Sequence, residues 1–510
     1  MNINYLITAL DWRRVAVGVP LLEALRRSES PRPCTSLVRY QPSHLGDLKM
    51  HKSSLVVCRL FCICVFMTAV FQFSLSAQDA PSSPEQVDQP SYPGIPPSKG
   101  RLEGTIGSYN LRMYGTVLLN IHASDTPSVG GDVPLWPTPG SVRTSFLDGT
   151  SQRVDDVHDV IFTARQSVFG FIVRPTDTGS AWVPSAKLEF DFFGTRPVDT
   201  NLPTGRVLNQ PRLRFAYLQL RKGNVKITAG QDKAILAPLD PVSLSHVAIP
   251  LGATAGNLWA WLPQVRVDAT HKVGAGSLLL QAGILRPQFA DPRLGDLPAA
   301  GTSLEGSPGL GERSSHPFYQ SRLAFSHPLN GRTATIGASG HYGRERIGVE
   351  RTMDSWAFAV DYAVPVHSRL TWRGENFVGS NLVPFGGGVL QGIGFVQPVA
   401  TAPPTVISRI GAAGGWTELI IRATADNKNV FYAGVGDDDP RDRNLVAGTT
   451  RSRNAFAWAS YFRRVTDNAT VAFEWSNWQF KTRLIAGGVA GPQGPSGTAN
   501  VFNLALAYQF

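Results

Sequence analysis

Beyond residue 64 the chain has no cysteine, because all four, Cys34, Cys58, Cys62 and Cys64, lie near its start. Disulfide frameworks and cysteine-ligated metals are thereby excluded from everything that follows. Cys58 and Cys62 also lack the small-residue box of a lipid-modified cysteine, so no lipid attachment is expected. Long apolar runs are missing too: after residue 73 nothing approaches the roughly 18 consecutive apolar residues of a membrane helix. Gly337-Ala338-Ser339-Gly340 and Gly274-Ala275-Gly276-Ser277 miss the glycine-x-serine-x-glycine elbow, and no histidine pair stands at a zincin spacing. With no nucleophile and base to assign, neither an enzyme nor a cofactor is expected. His122, His271 and His341 read as wet rim residues rather than ligands. No basic cluster with interleaved aromatics occurs, which leaves nucleic-acid binding without support.

What the chain does contain is period-two alternation. Counting back from its end, Phe510, Tyr508, Leu506, Leu504 and Phe502 alternate with Gln509, Ala507, Ala505, Asn503 and Val501. One face of such a strand is apolar and aromatic, the other small or polar. That suits a strand with lipid on one side and a wet lumen on the other, since a bilayer admits only helices or closed barrels with fully paired backbones. The aromatic ending also resembles the signal by which the barrel assembly machinery recognises outer-membrane barrels. An edge strand of a soluble sandwich is the alternative.

Near the other end, Met50 is followed by His51, Lys52 and Arg59, then an apolar run from Leu60 to Phe73, then Ser74-Leu75-Ser76-Ala77. Charged start, short apolar centre and small-residue exit are the parts of a secretory signal peptide, here residues 50–77, with cleavage expected near Ala77. A retained anchor is the alternative. Residues 1–49 carry no targeting logic and read as an upstream extension from a start codon called too early. Residues 78–107 hold Pro81, Pro84, Pro90, Pro93, Pro96 and Pro97, a density that resists helix and ladder and reads as a proline-rich periplasmic leader.

From Ser108 onward the alternation recurs. Ala186, Leu188, Phe190 and Phe192 alternate with Lys187, Glu189 and Asp191, and Val225, Ile227 and Ala229 alternate with Lys226 and Thr228. Sixteen such segments are legible, near 108–122, 160–174, 185–193, 212–221, 224–232, 263–271, 277–285, 318–326, 333–342, 355–364, 368–377, 416–424, 429–436, 453–463, 469–479 and 500–510. Connections after even strands are tight, as at Lys222-Gly223, Asn330-Gly331 and Asp467-Asn468, while those after odd strands mostly run long. The expected fold is all-β: a transmembrane antiparallel barrel of about sixteen strands over 108–510, with short periplasmic turns and long external loops.

One connection, from Lys233 to Leu262, is rich in small and apolar residues such as Ala234, Ile235, Leu236, Leu251, Ala253 and Ala255. It is expected to fold into the lumen and constrict it; a cap on the outer surface is the alternative.

Charge narrows the contents of that lumen. The chain carries +10 overall, but residues 1–77 hold nine Lys/Arg and four Asp/Glu, so the remainder carries 39 minus 34, or +5. Parity points Arg112, Arg212, Arg214, Lys226, Arg266, Arg322, Arg369, Arg373 and Arg422 inward. Against them stand Glu189, Asp191, Asp232, Asp268, Asp361, Glu375, Glu418 and Glu474. A slight excess of one sign implies a mild anion preference. Asp437, Asp438 and Asp439, with Asp442, are weak candidates for a hard cation, or for divalent bridging to lipopolysaccharide, but lack a helix-loop-helix calcium spacing and read as a solvated external loop.

Several motifs resemble the DcaP-like trimeric outer-membrane porins. They are Phe162-Thr163-Ala164-Arg165-Gln166-Ser167, Phe190-Asp191-Phe192-Phe193-Gly194, Arg212-Leu213-Arg214-Phe215-Ala216-Tyr217, Ala229-Gly230-Gln231, Gly414-Gly415-Trp416, Gly436-Asp437-Asp438-Asp439-Pro440 and Arg451-Ser452-Arg453-Asn454. The similarity spans most of 105–510. It implies a sixteen-stranded homotrimeric porin in the bacterial outer membrane, passing small hydrophilic and often anionic solutes. Members often carry an N-terminal heptad helix, and this chain has prolines there instead. A barrel acting through its external loops, in adhesion or as a surface structure, or a barrel enzyme, is the reading from another class.

Overall fold

The computed structural model describes residues 102–510 apart from 141, 145–149, 154–157, 178, 180–181, 195–208, 290–308, 348–350, 397–405, 447 and 487–488. The expected signal peptide and upstream extension therefore lie outside the described residues. Sixteen strands form one closed antiparallel sheet: β1 (Tyr109–Ser124), β2 (Asp159–Thr163 continued by Val168–Pro175), β3 (Val183–Gly194), β4 (Gln210–Lys222), β5 (Val225–Lys233), β6 (Trp261–Val273), β7 (Gly276–Leu285) and β8 (Phe318–Leu329). The sheet continues through β9 (Arg332–Arg346), β10 (Thr352–His367), β11 (Leu370–Ser380), β12 (Gly411–Arg422), β13 (Asn429–Pro440), β14 (Arg451–Arg464), β15 (Ala469–Ala486) and β16 (Val489–Gln509). Closure is made by β1 against β16, from Thr116 opposite Gln509 to Ser124 opposite Val501. Gly115 and Phe510 then exchange both backbone hydrogen bonds, each at 3.2 Å. No described helix is long and apolar enough to cross a membrane.

The strands form where the alternation demands. Val117, Phe162, Leu188, Leu213, Val265, Leu323, Phe358, Leu419, Phe473 and Phe502 stand exposed on the outer face, while their sequence neighbours are buried inside. An outer face this apolar suits hydrocarbon, and every strand is paired on both edges, which removes the cost of unpaired backbone in lipid.

Four departures from the sequence expectation have local causes. The end of the leader is not free chain: Leu102–Ile106 forms a short strand paired with Tyr109–Met113. It covers the edge of β1 that lies beyond Phe510. Strand β2 is broken at Ala164–Ser167, where Ser167 N donates to Ala164 O (3.0 Å) and turns Gln166 inward. Strand β16 starts at Val489 instead of 500, because the glycines and prolines of 491–497, which read as loop, pair with β15 as a long hairpin with register shifts around Arg483. In β4 a bulge between Leu213 and Phe215 reverses the alternation, so Phe215 is buried inside where strict parity places it outside. Bulges of this kind re-aim side chains next to functional surfaces.

Candidate functional site

The loop between β5 and β6 fills the interior. Residues 234–260 are almost all buried, and their apolar side chains meet apolar patches on the inner wall. Val242, Leu244 and Val247 pack with Leu118, Ile420, Tyr432 and Phe462. Leu236 and Leu258 pack with Leu285, Phe318 and Phe385, and Leu251 and Ala255 with Trp416, Phe456, Trp458 and Trp478. The loop's apolar composition is thus that of a segment whose solvent is the barrel wall. Close approach needs glycine: a Cβ on Gly256, whose φ is +109°, would stand 2.2 Å from Gly415 O. The second glycine of Gly414-Gly415-Trp416 has its own cause, since a Cβ there would stand 2.4 Å from Glu375 O on the neighbouring strand.

A loop without secondary structure must still satisfy its buried backbone, and wall side chains do this in order around the barrel. Gln320 Oε1 on β8 accepts Ile235 N (2.8 Å) and Leu236 N (3.0 Å), and Ser339 Oγ on β9 accepts Ala237 N (3.3 Å). Glu375 on β11 accepts Leu239 N, Glu418 on β12 accepts Val242 N (2.9 Å), and Glu474 on β15 accepts Leu244 N (2.7 Å) and Ser245 N (2.6 Å). Gln166, at the break in β2, accepts Val247 N (2.8 Å) and Ala248 N (3.0 Å) through Oε1. Loop carbonyls are taken by arginines: Val247 O by Arg214 Nη1 (3.0 Å), Ala248 O by Arg212 Nη2 (2.6 Å) and Asp240 O by Arg373. In the fourteen residues from Ile235 to Ala248 the loop crosses from β8 past β12 and β15 to β4. It lies inside the barrel, as expected, and not as a surface cap.

Most of the charges expected to face the lumen do so, in pairs. Arg212 is bidentate on Asp191 (3.1 and 2.6 Å). Arg214 reaches Glu189 (2.9 Å) and Asp191 (2.9 Å). Lys226 pairs with Asp268 (3.0 Å), Arg266 with Asp232 (2.9 Å) and Asp268 (3.1 Å), Arg322 with Asp361 (2.6 Å), and Arg373 with Glu418 (3.6 Å). Arg112 lies 3.7 Å from Glu103 of the leading short strand. Arg422 donates to Thr371 Oγ1 (3.0 Å) at the end of β12. Arg369 is the exception: it sits exposed in the turn between β10 and β11, because β10 runs on to His367 and the turn takes the residue that parity assigned to a strand.

Arg214 has a different part from Arg212. Its side chain is 1 % exposed and held by two carboxylates and a loop carbonyl, whereas Arg212 keeps 26 % exposure. Replacing Arg214 with Gln leaves Glu189 buried without its guanidinium and Asp191 with Arg212 alone. We expect this to cost about 3–5 kcal/mol of stability, read as a lowered denaturation midpoint in detergent. A midpoint within experimental error of the parent would show that the pair is not structural.

The three aspartates do not form a cluster. They lie on strand β13, not in a loop, so alternation sends Asp438 inward and Asp437 and Asp439 outward. Asp437 pairs with Arg453 (2.9 Å), and Asp438 accepts Val389 N (3.0 Å). Among the described residues no group of His, Cys, Asp or Glu is arranged to hold a metal.

His122 and His341, read as wet rim residues, are both buried inside at 1 % exposure. Sequence reasoning did not single out His246 in the loop. Its Nε2 faces Pro134 O (3.1 Å), its Nδ1 faces Ser245 Oγ (2.8 Å), and its ring lies against Trp478. Burial pushes this imidazole down to about 4. A folded value below the ordinary one means that His246 favours the docked loop at neutral pH, an advantage lost as pH falls toward that value. Also missed were Gln166, Gln320 and the cation-ring stack of Arg165 over Phe193 (3.7 Å), with Arg212 over Phe193 (5.2 Å) and Trp261 (5.0 Å). The only sequence signal for Gln166 and Gln320 was an uncharged amide on an inward position, which parity alone does not separate from any wet residue.

Fold, outer face and inward loop define a transmembrane β-barrel of the bacterial outer-membrane type. The chain shares its fold with the outer-membrane channel DcaP of Acinetobacter baumannii, at a TM-score of 0.56 and 15 % identity over 80 % of this chain and 99 % of that one. That agrees with the motif resemblance in the sequence. An anion-selective porin from Comamonas acidovorans (TM-score 0.47, 9 % identity, 79 % of this chain and 100 % of that one) and Salmonella typhi OmpF with daunomycin (0.44, 11 %, 80 % and 100 %) are more distant matches. No protein-family model and no curated protein matches the sequence.

Proposed function

We propose that the protein is an outer-membrane porin through which small hydrophilic solutes diffuse passively, with a mild preference for anions, and that it works as a homotrimer in the lipopolysaccharide-bearing membrane after recognition by the barrel assembly machinery. The observation that carries the preference is which member of each interior ion pair meets water. Side-chain exposures of base and acid are 26 % and 0 % for Arg212–Asp191, 16 % and 0 % for Arg165–Asp132, 18 % and 5 % for Lys226–Asp268, 14 % and 0 % for Arg373–Glu418, and 7 % and 2 % for Arg322–Asp361. Among the described pairs, Arg266–Asp232, at 10 % and 14 %, and Arg112–Glu103 at the leading short strand, at 12 % and 45 %, run the other way. Acids hidden behind their bases, Glu418 also holding a loop N–H, leave a surface lined by the bases, so a near-balanced count of charges still presents positive potential to the solute.

Passage is favoured over catalysis because Glu375, Glu418 and Glu474 hold loop N–H groups, and His246 and His341 are hydrogen-bonded within the loop and wall. Arg212 is the residue to change, because it combines exposure with an inward position. Arg212→Glu is expected to move the reversal potential in a salt gradient toward cations while the barrel stays folded. An unmoved reversal potential in a folded variant would remove the anion preference from this wall.

A further inference from the structure

The first arm of the inward loop is held by a chain of hydrogen bonds whose polarity is forced from both ends. Gln320 Oε1 takes two donors, Ile235 N (2.8 Å) and Leu236 N (3.0 Å), so the group it turns to His341 is its Nε2 amine. That amine lies 3.3 Å from His341 Nδ1, which must therefore accept. At the other end Ser355 Oγ donates to Asn381 O (2.8 Å), so toward His341 Nε2 (3.1 Å) it accepts, and Nε2 carries the proton. The imidazole is thus the neutral Nε2–H tautomer. The rings of Phe318 and Phe385 pack edge-on with it, each centroid 4.7 Å from the imidazole and the two 5.8 Å from one another.

We propose that His341 is an acid-operated release for this arm of the loop. A proton added at Nδ1 turns the contact with Gln320 into donor facing donor. The amide relieves it by rotating so that Oε1 accepts from Nδ1–H. The same rotation presents Nε2–H to the N–H groups of Ile235 and Leu236, which lose their acceptor inside a buried cluster. No other atom need move for the two states to differ, and one proton selects between them. The charged groups on the inner faces packed around His341 are Arg322 on β8, already paired with Asp361 on β10, and Glu345 on its own strand, which accepts Asn381 Nδ2. The loop between β11 and β12 brings Phe385. Further along, Glu375, Glu418 and Glu474 accept loop N–H groups with or without a proton, so they do not duplicate the device. The release is a property of loop and wall and stands apart from solute passage.

The test uses a nitroxide on Leu239→Cys, a half-buried loop position just past the Gln320 clamp, in a chain with no cysteine after residue 64. A second label on Ile249→Cys watches the far arm, where His246 sits. Between about pH 8 and about pH 3 the Leu239 label should pass from immobile to mobile, with the mobile population rising about tenfold per pH unit at its steepest, as one proton requires. His341→Asn should abolish that transition. Gln320→Glu should abolish it too, because a carboxylate accepts from Nδ1–H with one oxygen and from the loop with the other, and the Ile249 label should behave alike in all three proteins. A variant that forms no heat-modifiable barrel is set aside, and the other decides. The proposal is overturned if the Leu239 label stays immobile throughout in the parent, or mobilises equally in parent and folded variants.

Discussion

Removing Phe510 should reduce the amount of folded, heat-modifiable protein in the outer membrane by about a hundredfold. The residue closes the barrel: it exchanges two backbone hydrogen bonds with Gly115, and its ring lies 5.7 Å from that of Phe169, in a cluster with Phe190 and Phe192. Two net hydrogen bonds and an aromatic contact are together about 3 kcal/mol, which is about two powers of ten in a folding equilibrium. Gly115 has no side chain because the Phe510 ring and Val168 O each come within 2.7 Å of where a Cβ would be. Phe510→Tyr keeps ring and backbone and should assemble near the parent level. Normal yields of the truncated protein would mean that the β1–β16 seam does not depend on its last pair.

Excising residues 235–259 and joining the strands through a two-residue Asn-Gly turn should raise single-channel conductance about twofold or more, because a sixteen-strand wall with nothing folded into it encloses a water-filled channel. The join is geometrically mild. Lys233 and Trp261 are already paired, and Ala234 N donates to Ala260 O at 2.9 Å, so the shortened connection closes an existing hairpin. The excision also strips Glu375, Glu418 and Glu474 of the N–H groups they accept, and strips Arg212 and Arg214 of two carbonyls. Three uncovered carboxylates should move selectivity toward cations in the same experiment. Conductance and selectivity both unchanged in a folded variant would place the constriction somewhere other than this loop.

How much of this was legible in the sequence follows from which physics each feature obeys. The strands were readable because lipid imposes alternation on every one of them, and all sixteen lie where period-two contrast placed them. Contrast fails where residues are small: Gly411–Gly415 has no apolar and polar faces to tell apart, so β12 was read as starting late, and the glycine- and proline-rich start of β16 was read as loop. The bulge at Leu213–Phe215 inserts one residue with no sequence mark, and it turned Phe215 to the wrong side. Parity correctly aimed Arg212, Arg214 and the glutamates inward but says nothing about partners. That Glu375, Glu418 and Glu474 serve backbone N–H groups of a loop more than 100 residues away in sequence is a fact of three-dimensional packing. Asp437-Asp438-Asp439 misled for the opposite reason, since a run of like charges reads as loop while the strand simply divides it between two faces.

The central claim, that this barrel passes small solutes and favours anions, is tested most directly by the current through purified protein in a planar bilayer under a salt gradient. Stepwise openings with a modest reversal potential on the anion side are the expected result. A folded barrel that carries no current, or one that reverses on the cation side, would contradict it.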